Sequence, residues 1–257
     1  FGVAVIPAQD IERAVRTIRH AKELGHVAVF MRPNASVDGR KFNDAIYDPI
    51  WQVCTELQMP IGFHPFLAPD MPGACRAMGY GAMRAAGVSY GKGSQADPVA
   101  HLGNVFFSQA LANPFDMIEC LTLMCAGGIL ERFPELTVLF LEANGGWVVP
   151  MLERLDHHFE VFRWDVPWLH MKPSEYFRRQ CYISFDPDES TLAFTAQHPL
   201  VGAERIIWAS DYPHPDAKFP GVVAELEEST EALTAAQRAR IFGKNARALY
   251  HLPACAV

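Results

Sequence analysis

Short apolar runs alternate with stretches of helical period along most of the chain. Residues 3–6 (VAVI) close at Pro7. Asp10 then precedes Ile11, Ala14, Val15, Ile18 and Ala21, a spacing that predicts a capped amphipathic helix ending at Gly25. The unit repeats with residues 27–31 (VAVFM), a turn holding Pro33, Asn34 and Gly39, and a helix around 46–57. Residues 60–64 (PIGFH), 136–143 (LTVLFLEA), 181–185 (CYISF) and 205–210 (RIIWAS) predict further strands, with helical patterns between them. Thr234 and Gln237 spell a capping box for a late helix, and Gly243 separates it from a last short one near Tyr250, so the C-terminal end reads as complete.

The strand runs are apolar throughout rather than alternating, which is the pattern of a parallel sheet covered by helices. That leaves an open doubly wound sheet or a (β/α)8 barrel. No GxGxxG or GxxxxGK[ST] follows any run, so the barrel is the expected fold. The length of 257 residues suits a single barrel domain, residues 1–257. One interval breaks the rhythm. Residues 66–113 are rich in Pro, Gly and Met at the start, and they leave the end of a strand where barrels build their sites. A lid is expected there, with Arg76 and Arg84 as candidate substrate-binding residues beside Tyr80, Tyr90 and Lys92.

Half of the residues are hydrophobic and a fifth charged, the composition of a folded globular protein. The net charge of -7 and the lack of any basic stripe exclude a nucleic-acid partner. Residues 98–115 carry no charge but are broken by Pro98 and Pro114 and contain His101, Asn104, Gln109 and Asn113, so no membrane span is expected. The six cysteines form no CxxC and no compact framework, which points to buried free thiols and a cytoplasmic location. The opening FGVAVIP runs directly into a strand, as the start of a fragment would.

Three places put polar groups where apolar strands end: His64 after PIGF, Glu142 and Asn144 after LTVLFL, and Asp211 after RIIWAS. In a barrel these ends meet at one mouth, where an imidazole and carboxylates from different strands can hold a metal. The plainer alternatives are a hydrogen-bonded core histidine, a turn cap before Pro213, and helix-start capping at Gly145 and Gly146. His214 is placed to orient Asp211 or to bind a substrate carboxylate, with a surface turn as its alternative. Asp186 and Asp188 end another strand, where one is expected to cap a helix beginning near Glu189. His157 and His158 are adjacent on a helix and point apart, so they are not a ligand pair.

The segments IGFHP, LERFPELTVLFLEANGGWVVPMLERLD, IIWASDYPHPD and GKNARALY, in that order, resemble the amidohydrolase-related family that includes aminocarboxymuconate semialdehyde decarboxylase. The resemblance covers nearly the whole chain. It implies a distorted (β/α)8 TIM barrel holding one divalent metal, usually zinc and in some members manganese. His64 matches the metal-ligating histidine on the family's fifth strand, and Asp211 matches the aspartate on the eighth, a ligand and proton acceptor. The family's HxH or DxH strand does not precede FGVAVIP, so the visible strands count as the third to the eighth and the first two are lacking. Counting back from Pro150, Asn144 falls where several relatives have a catalytic histidine. Glu142 ranks above it, because a carboxylate shuttles protons and an amide does not.

The expectation is a metal-dependent hydrolase acting on a small carboxylated aromatic or ring-cleavage compound, the missing histidine tipping the choice from decarboxylation toward hydrolysis. Non-oxidative decarboxylation on the same scaffold is the alternative, and a non-catalytic partial barrel a second one. Uncovered strand edges also predict a homo-oligomer.

Overall fold

The six apolar runs become six strands: β1 (Val3–Val5), β2 (Ala28–Met31), β3 (Ile61–Phe63), β4 (Val138–Phe140), β5 (Cys181–Phe185) and β6 (Ile206–Trp208). A computed structural model describes residues 1–34, 37–65, 108–214, 217 and 219–253. The strands form one sheet in chain order, every neighbouring pair parallel. A doubly wound sheet reverses its strand order at a switch point. This one does not, so crossovers of one hand lay their helices on one face, as in a barrel wall.

The two faces differ accordingly. Phe63, Phe140, Ile183 and Phe185 point to the helices and join the main core. There Phe63 stacks on Phe140 with centroids 6.1 Å apart, and Phe140 on Phe177 at 6.4 Å. On the other face Leu139 and Ile207 pack with Leu249, flanked by Leu141, Tyr182 and Tyr250. The chain's last turns therefore lie against the inner side of the wall. A cavity of about 280 Å³ remains there, bounded by Phe30, Gly62, His64, Leu139, Leu141 and Tyr250.

The helices follow the predicted period, with shifted ends. In α1 (Ile11–Glu23) Asp10 caps as expected, its carboxylate accepting from Arg13 N at 3.0 Å. A 3₁₀ turn at Ala45–Tyr47 leads into α2 (Asp48–Glu56). A π-helical turn, Ser108–Ala112, leads into α3 (Asn113–Ala126), so the end of the interval 66–113 is helical, while residues 66–107 lie outside the described residues. Next come α4 (Ile129–Arg132), α5 (Val148–Val161) and α6 (Pro173–Gln180).

After β5 the helix α7 (Leu192–Gln197) starts later than Glu189, and its N-cap Thr191 makes no side-chain cap. Asp186 and Glu189, before it, are engaged with the loop after β4, as shown below. Following α8 (Val222–Ser229), the capping box forms at α9 (Ala235–Ala239): Gln237 N donates to Thr234 Oγ1 at 3.3 Å and Thr234 N to Gln237 Oε1 at 3.0 Å. Gly243 breaks the helical geometry before α10 (Asn245–Leu249).

Cys54, Cys120, Cys125 and Cys181 are buried free thiols, and burial pushes Cys54 up to about 12. Cys75 and Cys255 lie outside the described residues. Among the described residues no helix is long and apolar enough to cross a membrane.

Candidate active site

Because the sheet is parallel, the residues that follow the strands share one mouth. His64 follows β3, its ring 5.7 Å from that of Phe30. Its Nδ1–H donates to the carbonyl of Pro65 at 2.8 Å, which leaves Nε2 facing Glu142 beyond the end of β4. Burial alone pulls the imidazole down, but the contact and charge of Glu142, the Pro65 carbonyl and the charge of Asp211 outweigh it and hold it above its ordinary value of 6.5. Asp211, beyond β6, pairs through Oδ2 with His214 Nδ1 at 2.9 Å, and its carbonyl accepts the His214 amide at 2.9 Å. His214 thus fixes the Asp211 carboxylate from three residues away.

Three of these residues share a backbone signature. Glu142, Asn144 and Asp211 have φ of 48°, 52° and 54°. The left-handed region costs an L-residue about 1–2 kcal/mol. Asp and Asn tolerate it best, so Glu142 is the least expected of the three. The turn at Glu142 also explains why the run 136–143 yields only a short strand.

Asn144 does not face His64. Its Nδ2 donates to Asp186 Oδ2 at 3.0 Å. Glu189 completes the link between the two loops, its carboxylate accepting from Gly145 N at 2.9 Å and from Asp186 N at 2.8 Å. Gly145 and Gly146 allow this approach. A Cβ on Gly145 would stand 2.0 Å from the Phe185 ring, and one on Gly146 2.5 Å from Thr191 Oγ1.

Glu142 Oε2 is buried without a well-aligned hydrogen bond, pressed instead against His64 Nε2. The His64 imidazole and the Asp211 carboxylate, near enough to act on the ring, suit a divalent cation as donors, and the unsatisfied Glu142 oxygen faces the same place. Among the described residues no three His, Cys, Asp or Glu side chains converge, so the fit covers part of a shell.

The structure brings His64 against Glu142 and His214 against Asp211, and sets Asn144 against Asp186. Arg76 and Arg84 lie outside the described residues. Two residues went unread in the sequence. Glu189 carries a local signal only for the Asp186 amide three residues back, and nothing near it in sequence points to its other partner, the Gly145 amide. Arg32 carries one too: it closes the run VAVFM just as His64 closes PIGF.

The amidohydrolase family model matches residues 1–252. The chain belongs to the amidohydrolase family. It is 25% identical over 250 residues to 2-amino-3-carboxymuconate-6-semialdehyde decarboxylase of Dictyostelium discoideum, covering 96% of this chain and 59% of that protein. It is 25% identical over 265 residues to gamma-resorcylate decarboxylase of Polaromonas sp. strain JS666, covering 98% of this chain and 70% of the relative. The chain thus spans between about half and three quarters of those relatives' lengths. Dihydroxybenzoic acid decarboxylase of Polaromonas sp. JS666, solved with manganese and 2-nitroresorcinol, superposes with a TM-score of 0.72 at 21% identity, over 99% of this amidohydrolase and 70% of that chain. The fold is therefore that of the family's barrels, with six parallel strands of the wall present.

Proposed function

We propose that this amidohydrolase serves the non-oxidative decarboxylation of a small carboxylated aromatic or ring-cleavage compound, in place of the hydrolysis expected from the sequence. The observation that carries the reading is Glu142 set against His64, which itself lines a cavity walled by Phe30, Leu139 and Leu141. Apolar walls disfavour a carboxylate and tolerate neutral CO2, so the cavity suits loss of charge better than attack by water. The names of both curated relatives point the same way.

His64 and Asp211 would hold the metal, with His214 fixing Asp211. Manganese is the ion to try before zinc, given its presence in the solved decarboxylase. When bound, a divalent ion supplies a Lewis acid that polarises substrate oxygens. Glu142 passes a proton from Oε2 to the carbon bearing the carboxylate. The C–C bond then breaks, its electron pair returns to the ring or chain, CO2 departs, and Glu142 regains a proton from solvent.

The test is incubation of manganese-loaded protein in D2O with γ-resorcylate and with 2-amino-3-carboxymuconate 6-semialdehyde. Release of CO2 with one deuterium at the vacated carbon is expected. Products carrying solvent oxygen without CO2 would restore hydrolysis, and no turnover by loaded protein would favour the non-catalytic partial barrel.

A further inference from the structure

Arg32 stands directly after β2. The register pairs Phe30 with Gly62 and Met31 with Phe63, so one further step sets Arg32 beside His64. The strands still run together at this point, since His64 N donates to Met31 O at 3.0 Å. Alternation along the strand places Arg32 on the face of Phe30, the inner side that bounds the cavity.

Its Nε and Nη2 are both buried and neither has a hydrogen-bond partner. Among the described residues Arg32 also forms no ion pair. These two N–H groups lie along one edge of the guanidinium and point the same way, the edge that takes a carboxylate with two parallel bonds. Arginine does not shed its proton to escape burial, so an open edge is a standing cost to the fold. A buried polar edge kept open beside a candidate metal ligand asks for an anionic ligand.

We propose that Arg32 is a substrate-binding residue whose Nε/Nη2 edge grips a carboxylate that remains on the substrate, which makes the substrate a dicarboxylate. This rests on the decarboxylase reading. A fork that matches a full carboxylate charge stabilises the ground state of a group about to become neutral CO2, and would slow its departure. The same fork on a retained carboxylate holds equally well before and after the bond breaks, and so orients the substrate without opposing the reaction.

Calorimetric titration of the manganese-loaded protein with isophthalate and with benzoate tests the idea. Isophthalate sets its two carboxylates roughly one strand spacing, about 4.8 Å, apart. The wild type should prefer isophthalate by about 10- to 100-fold, the range for a charge-assisted pair. Arg32→Met should bring that ratio near one while melting no lower than the wild type, since it removes an unpaired cation. Arg32→Lys keeps the charge without the fork and should retain only part of the preference. If Arg32→Met does not fold, the Arg32→Lys ratio decides.

A wild-type ratio of one, a ratio unchanged in Arg32→Met, or full preference in Arg32→Lys overturns the proposal. Dicarboxylate preference without CO2 release would sink the decarboxylase reading and leave the fork standing. Turnover with a ratio of one would do the reverse.

Discussion

Asn144 donates to Asp186 Oδ2 at 3.0 Å, so it ties the end of β4 to the end of β5 and leaves His64 to Glu142. Under the proposed function proton transfer falls to Glu142, two residues before the position reached by counting back from Pro150. Glu142→Gln is expected to lower kcat for CO2 release by about 10²- to 10⁴-fold, the usual worth of a general acid. Asn144→Ala should stay within about tenfold in kcat and cost about 1 kcal/mol of stability for the lost hydrogen bond. Steady-state rates and melting curves on both variants decide. An Asn144→Ala loss as deep as that of Glu142→Gln would return the role to the later position.

The paired glycines set how closely the two loops approach. A Cβ on Gly145 meets the Phe185 ring, which is buried and has no room to turn away, whereas the Thr191 hydroxyl facing Gly146 ends a short side chain. Overpacking costs about 1–3 kcal/mol. Gly145→Ala should fall at the upper end and Gly146→Ala at the lower, read as a drop in Tm of about 2–4 °C per kcal/mol for a domain of this size. Equal melting of both variants and the wild type would mean that the loops part without cost.

Glu189 makes stability depend on pH. Burial pushes its carboxyl above the ordinary 4.5, only partly offset by the amides of Gly145 and Asp186 and the side chain of Asn144. The folded protein therefore holds this proton more tightly than the unfolded chain does. The resulting stabilisation is complete below 4.5 and is lost as pH rises through the raised value. Glu189→Gln does not titrate. The melting temperature of the wild type minus that of the variant should fall from about pH 4 to about pH 7. A flat difference would show that Glu189 titrates alike in both states.

Much of this was legible along the chain. Apolar runs closed by a polar residue located all six strands and, with them, His64, Glu142 and Asp211, because a parallel strand buried on both faces has few places for polar chemistry except its end. The strands are shorter than the apolar runs: Leu136 N already bonds Phe133 O in a turn, and the left-handed Glu142 stops the ladder. The pairing of Asn144 with Asp186 and the reach of Glu189 to the amide of Gly145 join residues more than forty positions apart. They depend on backbone turns that no period reveals. Arg32 was readable by the same sign as His64, yet an arginine after a strand also suits a solvated end, and only its buried, unpartnered edge separates the two.

Metal content should follow Asp211 and its partner. Elemental analysis of the protein after loading is expected to find about one equivalent of divalent ion, lost in Asp211→Asn. His214→Ala keeps both ligands but frees the Asp211 carboxylate from its 2.9 Å contact, and should weaken affinity about 10- to 100-fold. Full retention in Asp211→Asn would remove that residue from the ligand set.

The ends of the sheet bear on assembly. Among the described residues β1 and β6 each pair with one neighbour only. Parallel strands are normally covered on both faces, yet Val3 and Val5 are 41% and 59% exposed. Both side chains lie on the inner face, Val3 at the cavity and Val5 two residues on. An apolar, exposed strand with a free edge is a template for another chain, and lysine is the residue that most directly blunts it. The 257-residue chain should therefore self-associate in light scattering. Val3→Lys with Val5→Lys should shift it toward monomer without loss of helical circular dichroism, because neither side chain belongs to the main core. A monodisperse wild-type monomer would mean that the edge is tolerated in water as it stands, and the expectation of a homo-oligomer would fall with it.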